Sequence, residues 1–221
     1  ASGPPGTFSR EPAGPMAERI DATFSQLRRS GRKALIPFIM GGDPDLATTG
    51  RLLLALEDAG ADLIEVGIPF SDPLADGPTI QASSARALSR GTTPAHVLAT
   101  VASVRHRLRV PIVCLSYWNP VARFGRDGGA PFVRAARRSG CSGLIVPDLP
   151  AEEGAALCQA AAGEGLATIF LAAPTSGPER MRAIARASQG FIYYVSVTGT
   201  TGARGALPPA LVNGVRPLSL V

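Results

Sequence analysis

The sequence LIEVGIPFSDPLADGPTIQ occupies residues 63–81 and places an acid inside an apolar run, followed by a loop rich in proline. Its first six residues carry no charge except at Glu65, and they predict a buried strand. A carboxylate inside such a strand costs free energy unless it is paired, neutralised or turned towards a cavity. The loop that follows contains Asp76, and its backbone is restricted by prolines at positions 69, 73 and 78. The stretch therefore predicts a strand and a rigid loop that hold acidic groups in place for chemistry.

Glu65 has two interpretations at this point. A Glu on a strand can pair with a core arginine or cap a turn, and both roles are structural. The second acid in a braced loop, Asp76, favours catalysis instead. We expect Glu65 to be desolvated, with a raised pKa, whereas nothing in the sequence around Asp76 indicates burial, so that acid is expected to stay charged. Two carboxylates in different environments can divide the work of acid and base.

The rest of the chain repeats the order of an apolar strand, a polar turn and a helix. Strands are predicted at residues 34–40, 63–68, 111–117, 143–147, 167–172 and 191–197. Helices are predicted between residues 16 and 31 and at residues 46–59, 80–88, 95–108, 130–139, 151–162 and 179–187. Successive units with fully apolar strands require a parallel sheet that is covered by helices.

Two architectures contain such a sheet, the (β/α)8 barrel and the doubly wound sheet. A barrel gathers the loops after its strands on one face, and polar residues follow the strands here. These are Asp43, Ser71, Asn119, Asp148 and the loop at residues 198–205. No GxGxxG motif follows the first strand, which argues against a dinucleotide-binding doubly wound sheet. We expect an α/β protein with an incomplete TIM barrel, in which about six of the eight βα units are present.

Composition bounds the domain organisation. The chain has 221 residues, of which 45% are hydrophobic, enough for one domain with its own core. Residues 1–15 are rich in Gly and Pro and predict a disordered N-terminal extension. The partial TIM-barrel domain is assigned to residues 16–221, and it is expected to lack strands 7 and 8.

Charge and cysteine content exclude several classes of protein. The 22 Lys and Arg residues exceed the 17 Asp and Glu residues, but they are scattered and not interleaved with aromatic residues, which argues against nucleic-acid binding. The 3 cysteines lack CxxC spacing, so neither a disulfide framework nor a structural zinc site is indicated. No apolar run is long enough for a membrane span, and no signal-peptide core is present. A cytoplasmic location is expected.

Residues 65–81 resemble the signature segment of the tryptophan synthase alpha subunit family almost without interruption. Shorter motifs extend the similarity over residues 34–208, namely Ile36-Pro-Phe38, Gly42-Asp-Pro44, Tyr117 with Asn119-Pro120, Val146-Pro-Asp148 and Thr201-Gly202. The resemblance implies a lyase that splits indole-3-glycerol phosphate into indole and glyceraldehyde 3-phosphate by a retro-aldol reaction without a cofactor. It also implies that Glu65 and Asp76 are the catalytic acids.

The resemblance implies further roles. The substrate-binding residues would be Phe38, Leu115, Tyr117, Tyr193, Thr201 and Gly202, the last two in a lid loop near the phosphate. Ordinary barrel packing for Leu115 and a surface loop for residues 201–202 are the structural alternatives. The implied partner is the tryptophan synthase beta subunit in an alpha2beta2 assembly. Its contacts would be Pro69, Asp72, Asn119 and Pro150.

Two other functions stay open. Another phosphosugar barrel of the tryptophan pathway would use lysines within its strands, and the chain's only lysine, Lys33, precedes the first strand. Alternatively, a chain that lacks the last two strands would act as a catalytically impaired partner that only binds and modulates a beta subunit. An assay of indole release with and without that subunit distinguishes the two.

Overall fold

The computed structural model describes residues 16–125 and 127–195, in which strands and helices alternate. The strands are β1 (Phe38–Met40), β2 (Ile64–Gly67), β3 (Ile112–Leu115), β4 (Gly143–Ile145), β5 (Ala167–Ile169), β6 (Leu171–Ala172) and β7 (Tyr193–Tyr194). The α helices are α1 (Ala17–Arg29), α2 (Leu46–Asp58), α3 (Pro78–Ser89), α4 (Pro94–Val104), α5 (Trp118–Ala122), α6 (Ala130–Ser139), α7 (Ala155–Glu164) and α8 (Pro178–Ala187). Two 3-10 turns are present as well, at Arg105–Arg107 and Ala151–Glu153.

The strands lie side by side in the order of the chain. β1 to β5 form one parallel sheet, and β6, which is separated from β5 by one residue, pairs in parallel with β7. In the register, Glu65 lies between Phe38 on β1 and Val113 on β3. Sequential parallel strands with helices between them form a (β/α)8 barrel, incomplete within the described residues. The expected fold class is confirmed.

The sheet separates two apolar layers. Its outer face packs against the helices, as Ile64 and Val66 do with Val97 of α4 and Phe132 of α6. Its inner face forms a second cluster around Leu63, with residues from the strands and from α1. The helix α1 lies across the N-terminal end of the barrel strands, because Ala17 donates a hydrogen bond to the carbonyl of Gly165, ahead of β5 (3.0 Å). One end of the barrel is therefore filled by a helix, and the opposite end remains for the loops after the strands.

Helix boundaries follow from local chemistry. Four helices carry a proline in their first turn, where no backbone donor is lost; these are α3, α4, α6 and α8. Asp45 caps α2 by accepting a hydrogen bond from the Thr48 amide (2.6 Å), and Thr93 caps α4 through the His96 amide (3.3 Å).

Several predicted boundaries need correction. β1 is shorter than residues 34–40, in part because Pro37 has no amide to donate to a ladder. The helix predicted at residues 151–162 is divided into a 3-10 turn and α7 at Gly154. No sequence pattern predicts α5, because its five residues are too few to show a helical period. The last predicted strand, at 191–197, extends beyond the described residues, and of its described part, residues 191–195, only β7 is strand.

Candidate active site

Glu65 lies in the middle of β2, and its side chain belongs to the inner face of the sheet. The residue is only 5% exposed, and burial raises the pKa of its carboxyl from 4.5 to about 7. Within residues 16–125 and 127–195, no side chain or backbone amide forms a hydrogen bond or ion pair with this carboxylate. The interpretations with a core arginine or a turn cap therefore find no support in the described part of the chain. Glu65 can hold or release a proton near neutral pH.

Asp76 lies in the loop at residues 68–77 between β2 and α3, which is called the Asp76 loop below. The side chain is half-buried, and desolvation raises the pKa of its carboxyl, while a hydrogen bond from the Tyr117 hydroxyl opposes that rise. The expectation that Asp76 is not buried is thus wrong, because the loop folds back over the barrel and against Tyr117. The same hydroxyl accepts a hydrogen bond from the Ala75 amide (2.9 Å). One side chain therefore fixes both the Asp76 carboxylate and the backbone beside it.

The hydroxyl of Tyr193, on β7, is affected by the charges of both acids. Burial raises the pKa of its hydroxyl, and the negative charges of Glu65 and Asp76 raise it further. Such an effect on one phenol requires that both carboxylates lie near it. The structure thus brings together four residues that are distant in the sequence, namely Glu65, Asp76, Tyr117 and Tyr193. All four are among the site residues that the family resemblance implies.

The apolar wall of the site forms around Gly67. Phe38, which is half-buried, packs over this glycine so closely that an added Cβ would lie 2.6 Å from the phenylalanine Cζ. Leu115 lies directly across from Gly67 on β3 and belongs to the inner cluster. Gly67 is not among the residues predicted for the site. A glycine inside a strand often marks a close approach of another group, and that signal was available.

The residues predicted to contact a partner differ in accessibility. Asp72 and Asn119 are exposed, Pro150 is half-buried, and Pro69 is buried. Pro69 therefore offers little surface for a contact. Leu74, in the same loop, is 86% exposed and is not among the residues predicted to contact a partner. Asp72, two residues earlier, is exposed as well.

Other parts of the prediction find no counterpart here. Thr201 and Gly202, the lid-loop residues, lie outside the described residues. Among the residues that are described, no group of three or more His, Cys, Asp or Glu side chains could hold a metal ion. The helices within that part of the chain are also too short or too polar to cross a membrane.

Comparisons with known proteins agree with this geometry. A family model described as tryptophan synthase alpha chain matches residues 24–220. The tryptophan synthase alpha chain of Geotalea daltonii is 50% identical over 200 residues, which cover 90% of this chain and 75% of that protein. The corresponding chain of a Synechococcus species is 52% identical over 199 residues, with coverage of 90% and 73%.

Solved structures show the same similarity. A structure of Mycobacterium tuberculosis tryptophan synthase has a TM-score of 0.80 at 38% identity, and the match covers 93% of this chain and 77% of that one. The tryptophan synthase a2b2 complex of the hyperthermophile Pyrococcus furiosus, described in terms of mutual activation, gives a TM-score of 0.78 at 42% identity. That match covers 85% of this chain and 74% of the other.

Proposed function

The chain belongs to the tryptophan synthase alpha chain family, and on this premise we propose that Glu65 transfers the protons of the reaction while Asp76 stabilises the positive charge that develops on the substrate. The chain is a carbon–carbon lyase that cleaves indole-3-glycerol phosphate in tryptophan biosynthesis. The observation that supports the catalytic assignment is the buried carboxyl of Glu65, which has no ionic partner in the described residues and a pKa of about 7. Perturbed and unpaired acids of this kind are typical of catalytic sites.

The reaction requires two proton transfers at neighbouring atoms. The bond between indole carbon 3 and the first glycerol carbon breaks when carbon 3 gains a proton and the adjacent glycerol hydroxyl loses one. Glu65, whose pKa is about 7, exists in both protonation states near neutrality and can give the first proton and take the second. The number of protons on the enzyme is then unchanged after one turnover, and no further reactant is needed.

Asp76 has a different role in this proposal. Protonation of carbon 3 places positive charge on the indole ring nitrogen, and a carboxylate beside the ring N–H stabilises that charge. The hydrogen bond from Tyr117 favours the ionised form of Asp76, against the effect of burial. Phe38 and Leu115 would form the apolar wall of the indole pocket, and Tyr193 would lie between the two acids. Thr201 and Gly202 would close the site near the phosphate.

We also propose that the chain assembles with a beta subunit, as the Pyrococcus furiosus relative does in its a2b2 complex. The exposed part of the Asp76 loop, with Asp72 and Leu74, would form the contact together with Asn119 and Pro150. Leu74→Ser should weaken beta-subunit binding about tenfold, since a large apolar side chain would lose its buried position. Leu35→Ser is the matched control, because Leu35 is also exposed (56%) but lies before β1, at the opposite end of the barrel. Equal effects of both changes would contradict this contact surface.

Indole release from indole-3-glycerol phosphate tests the function directly. We expect the protein to release indole alone and to do so faster with a beta subunit present. A chain that binds and stimulates the beta subunit but releases no indole would be a modulator, and the catalytic proposal would then be wrong.

A further inference from the structure

We propose that Ser84 and Gln81 on helix α3 are positioning residues for Asp76, because they hold the two ends of the Asp76 loop. The inference rests on the proposed function, since it concerns how the catalytic carboxylate is aimed. Neither side chain belongs to the grouping of Glu65, Asp76 and the two tyrosines. Their effect is therefore exerted through the loop backbone.

Ser84 fixes the beginning of the loop. Its hydroxyl accepts a hydrogen bond from the Phe70 amide (2.8 Å) and donates one to the Phe70 carbonyl (2.9 Å). Ser84 is only 2% exposed, so water cannot take the place of its hydroxyl as the hydrogen-bond partner of the Phe70 amide and carbonyl. The preceding residue, Ser83, is also buried, but its hydroxyl bonds to the Ile80 carbonyl within its own helix (2.8 Å). Two adjacent serines of the same helix thus have different roles.

The position of Phe70 is transmitted to Asp76 through Tyr117. The rings of Phe70 and Tyr117 are in contact, with centroids 5.4 Å apart. The Tyr117 hydroxyl accepts from the Ala75 amide (2.9 Å) and donates to the Asp76 carboxylate. A shift of Phe70 therefore displaces the ring that determines where the carboxylate points.

Gln81 fixes the other end of the loop. Its side-chain amide donates a hydrogen bond to the Asp76 carbonyl (2.8 Å). Between the two anchored ends, Ser71, Asp72 and Leu74 are exposed. The loop can therefore present these residues to a partner while the geometry of Asp76 stays fixed by α3.

The central test compares Ser84→Ala with Ser83→Ala, which is the same change one residue away. We expect Ser84→Ala to lower kcat for indole release about tenfold with little change in KM, because a small misplacement of a catalytic group has a large cost. Ser83→Ala should stay within about twofold of the wild type, since its hydroxyl bonds only to its own helix. Amide hydrogen exchange at Phe70 and Ala75 should become faster in Ser84→Ala and not in Ser83→Ala.

A double-mutant cycle separates positioning from general stability. If Ser84 acts through Tyr117, Ser84→Ala should have little further effect on kcat in a Tyr117→Phe background. An undiminished tenfold loss in that background, or equal losses from the two serine variants, would overturn the proposal. If Ser84→Ala does not fold, Gln81→Ala provides the test instead, because Gln81 is exposed and truncating its side chain leaves the core intact. It should lower kcat about threefold by releasing the Asp76 backbone, and wild-type kcat would contradict the proposal.

These outcomes are distinct from a failure of the proposed function. Wild-type protein that releases no indole would refute the function, while the exchange measurement would still report on the loop. Wild-type protein that is active, together with Ser84→Ala of equal kcat and equal exchange, would refute only the positioning role.

Discussion

The two faces of β2 have opposite properties although their residues alternate along one strand. On the outer face, Ile64 and Val66 lie in the apolar layer between sheet and helices and are at most 1% exposed. On the inner face, Glu65 is almost as deeply buried but carries a carboxyl with no partner in the described residues. Burial stabilises the fold on one face and costs stability on the other. Burial of similar depth can thus stabilise the protein at one residue of a strand and destabilise it at the next. Unfolding measurements on variants can detect this difference.

Glu65→Gln should produce the largest effect, with opposite signs for activity and stability. We expect indole release to fall by about 10² or more, because the variant cannot transfer a proton, while substrate binding is largely kept. The folded protein, with a pKa of about 7 against 4.5, binds more protons than the unfolded chain between these pH values. Its stability therefore decreases as pH rises through this window. The Gln variant does not pay this cost and should be more stable by about 3 kcal/mol above pH 7.

Urea unfolding at pH 4 and pH 8, beside an indole assay, checks both halves of this prediction. The stability advantage of Glu65→Gln should be small at pH 4, where the carboxyl is protonated in both states. Near wild-type turnover would remove Glu65 from its catalytic role, and an advantage independent of pH would show that its carboxyl is not strongly desolvated.

Ile64→Ala tests the outer face of the same strand. Its side chain is fully buried against the helices, so its truncation should destabilise the protein by about 3 kcal/mol. The kcat of the folded variant should remain within about twofold of the wild type, because the inner face is unchanged. Urea unfolding and an assay at a temperature where the variant is fully folded give the two values. A tenfold loss of kcat in the folded protein would mean that the two faces are not independent.

The difference between the faces also explains what the sequence could predict. Apolar periodicity showed the strands and most helices, since these depend on neighbours in the chain. Glu65 was recognisable because a charge interrupts an apolar run. The contact of Tyr117 with Asp76 and the anchoring of Phe70 by Ser84 join residues far apart in sequence, and no local pattern contains them. The burial of Asp76 was missed for the same reason, because it comes from how the loop folds back.

Asp76→Asn should remove most activity, by about 10², if the role of Asp76 is to stabilise positive charge on the ring. Asp76→Glu keeps the charge and should cost less. Asp72→Asn, assayed without a beta subunit, is the matched control, since Asp72 is an exposed acid of the same loop. Equal losses from the Asn and Glu variants of Asp76 would indicate that geometry rather than charge is what the loop contributes.

A smaller loss of activity than for Glu65 and Asp76 is expected from Tyr117→Phe, which removes one hydroxyl from the inner side of the barrel. The Tyr117 hydroxyl lowers the pKa of Asp76, so its loss should raise that pKa further above its usual value. The loss of kcat/KM at low pH should then set in at a higher pH, because Asp76 becomes protonated earlier. In addition, kcat near neutrality should fall about tenfold, because the Asp76 loop loses its hydrogen bond at Ala75. The phenylalanine ring still packs against Phe70, so the variant should fold normally.

Tyr194→Phe is the control for this change, because the Tyr194 hydroxyl is buried and has no hydrogen-bond partner among the described residues. Its loss should leave kcat and the pH dependence of kcat/KM unchanged and should not lower stability, since an unsatisfied polar group is removed. The two tyrosines of β7 alternate in the same way as the residues of β2, because Tyr193 belongs to the inner cluster and Tyr194 packs against α8. An unchanged pH dependence of kcat/KM in Tyr117→Phe would separate Tyr117 from Asp76 and leave the loop backbone as the only element that positions this carboxylate.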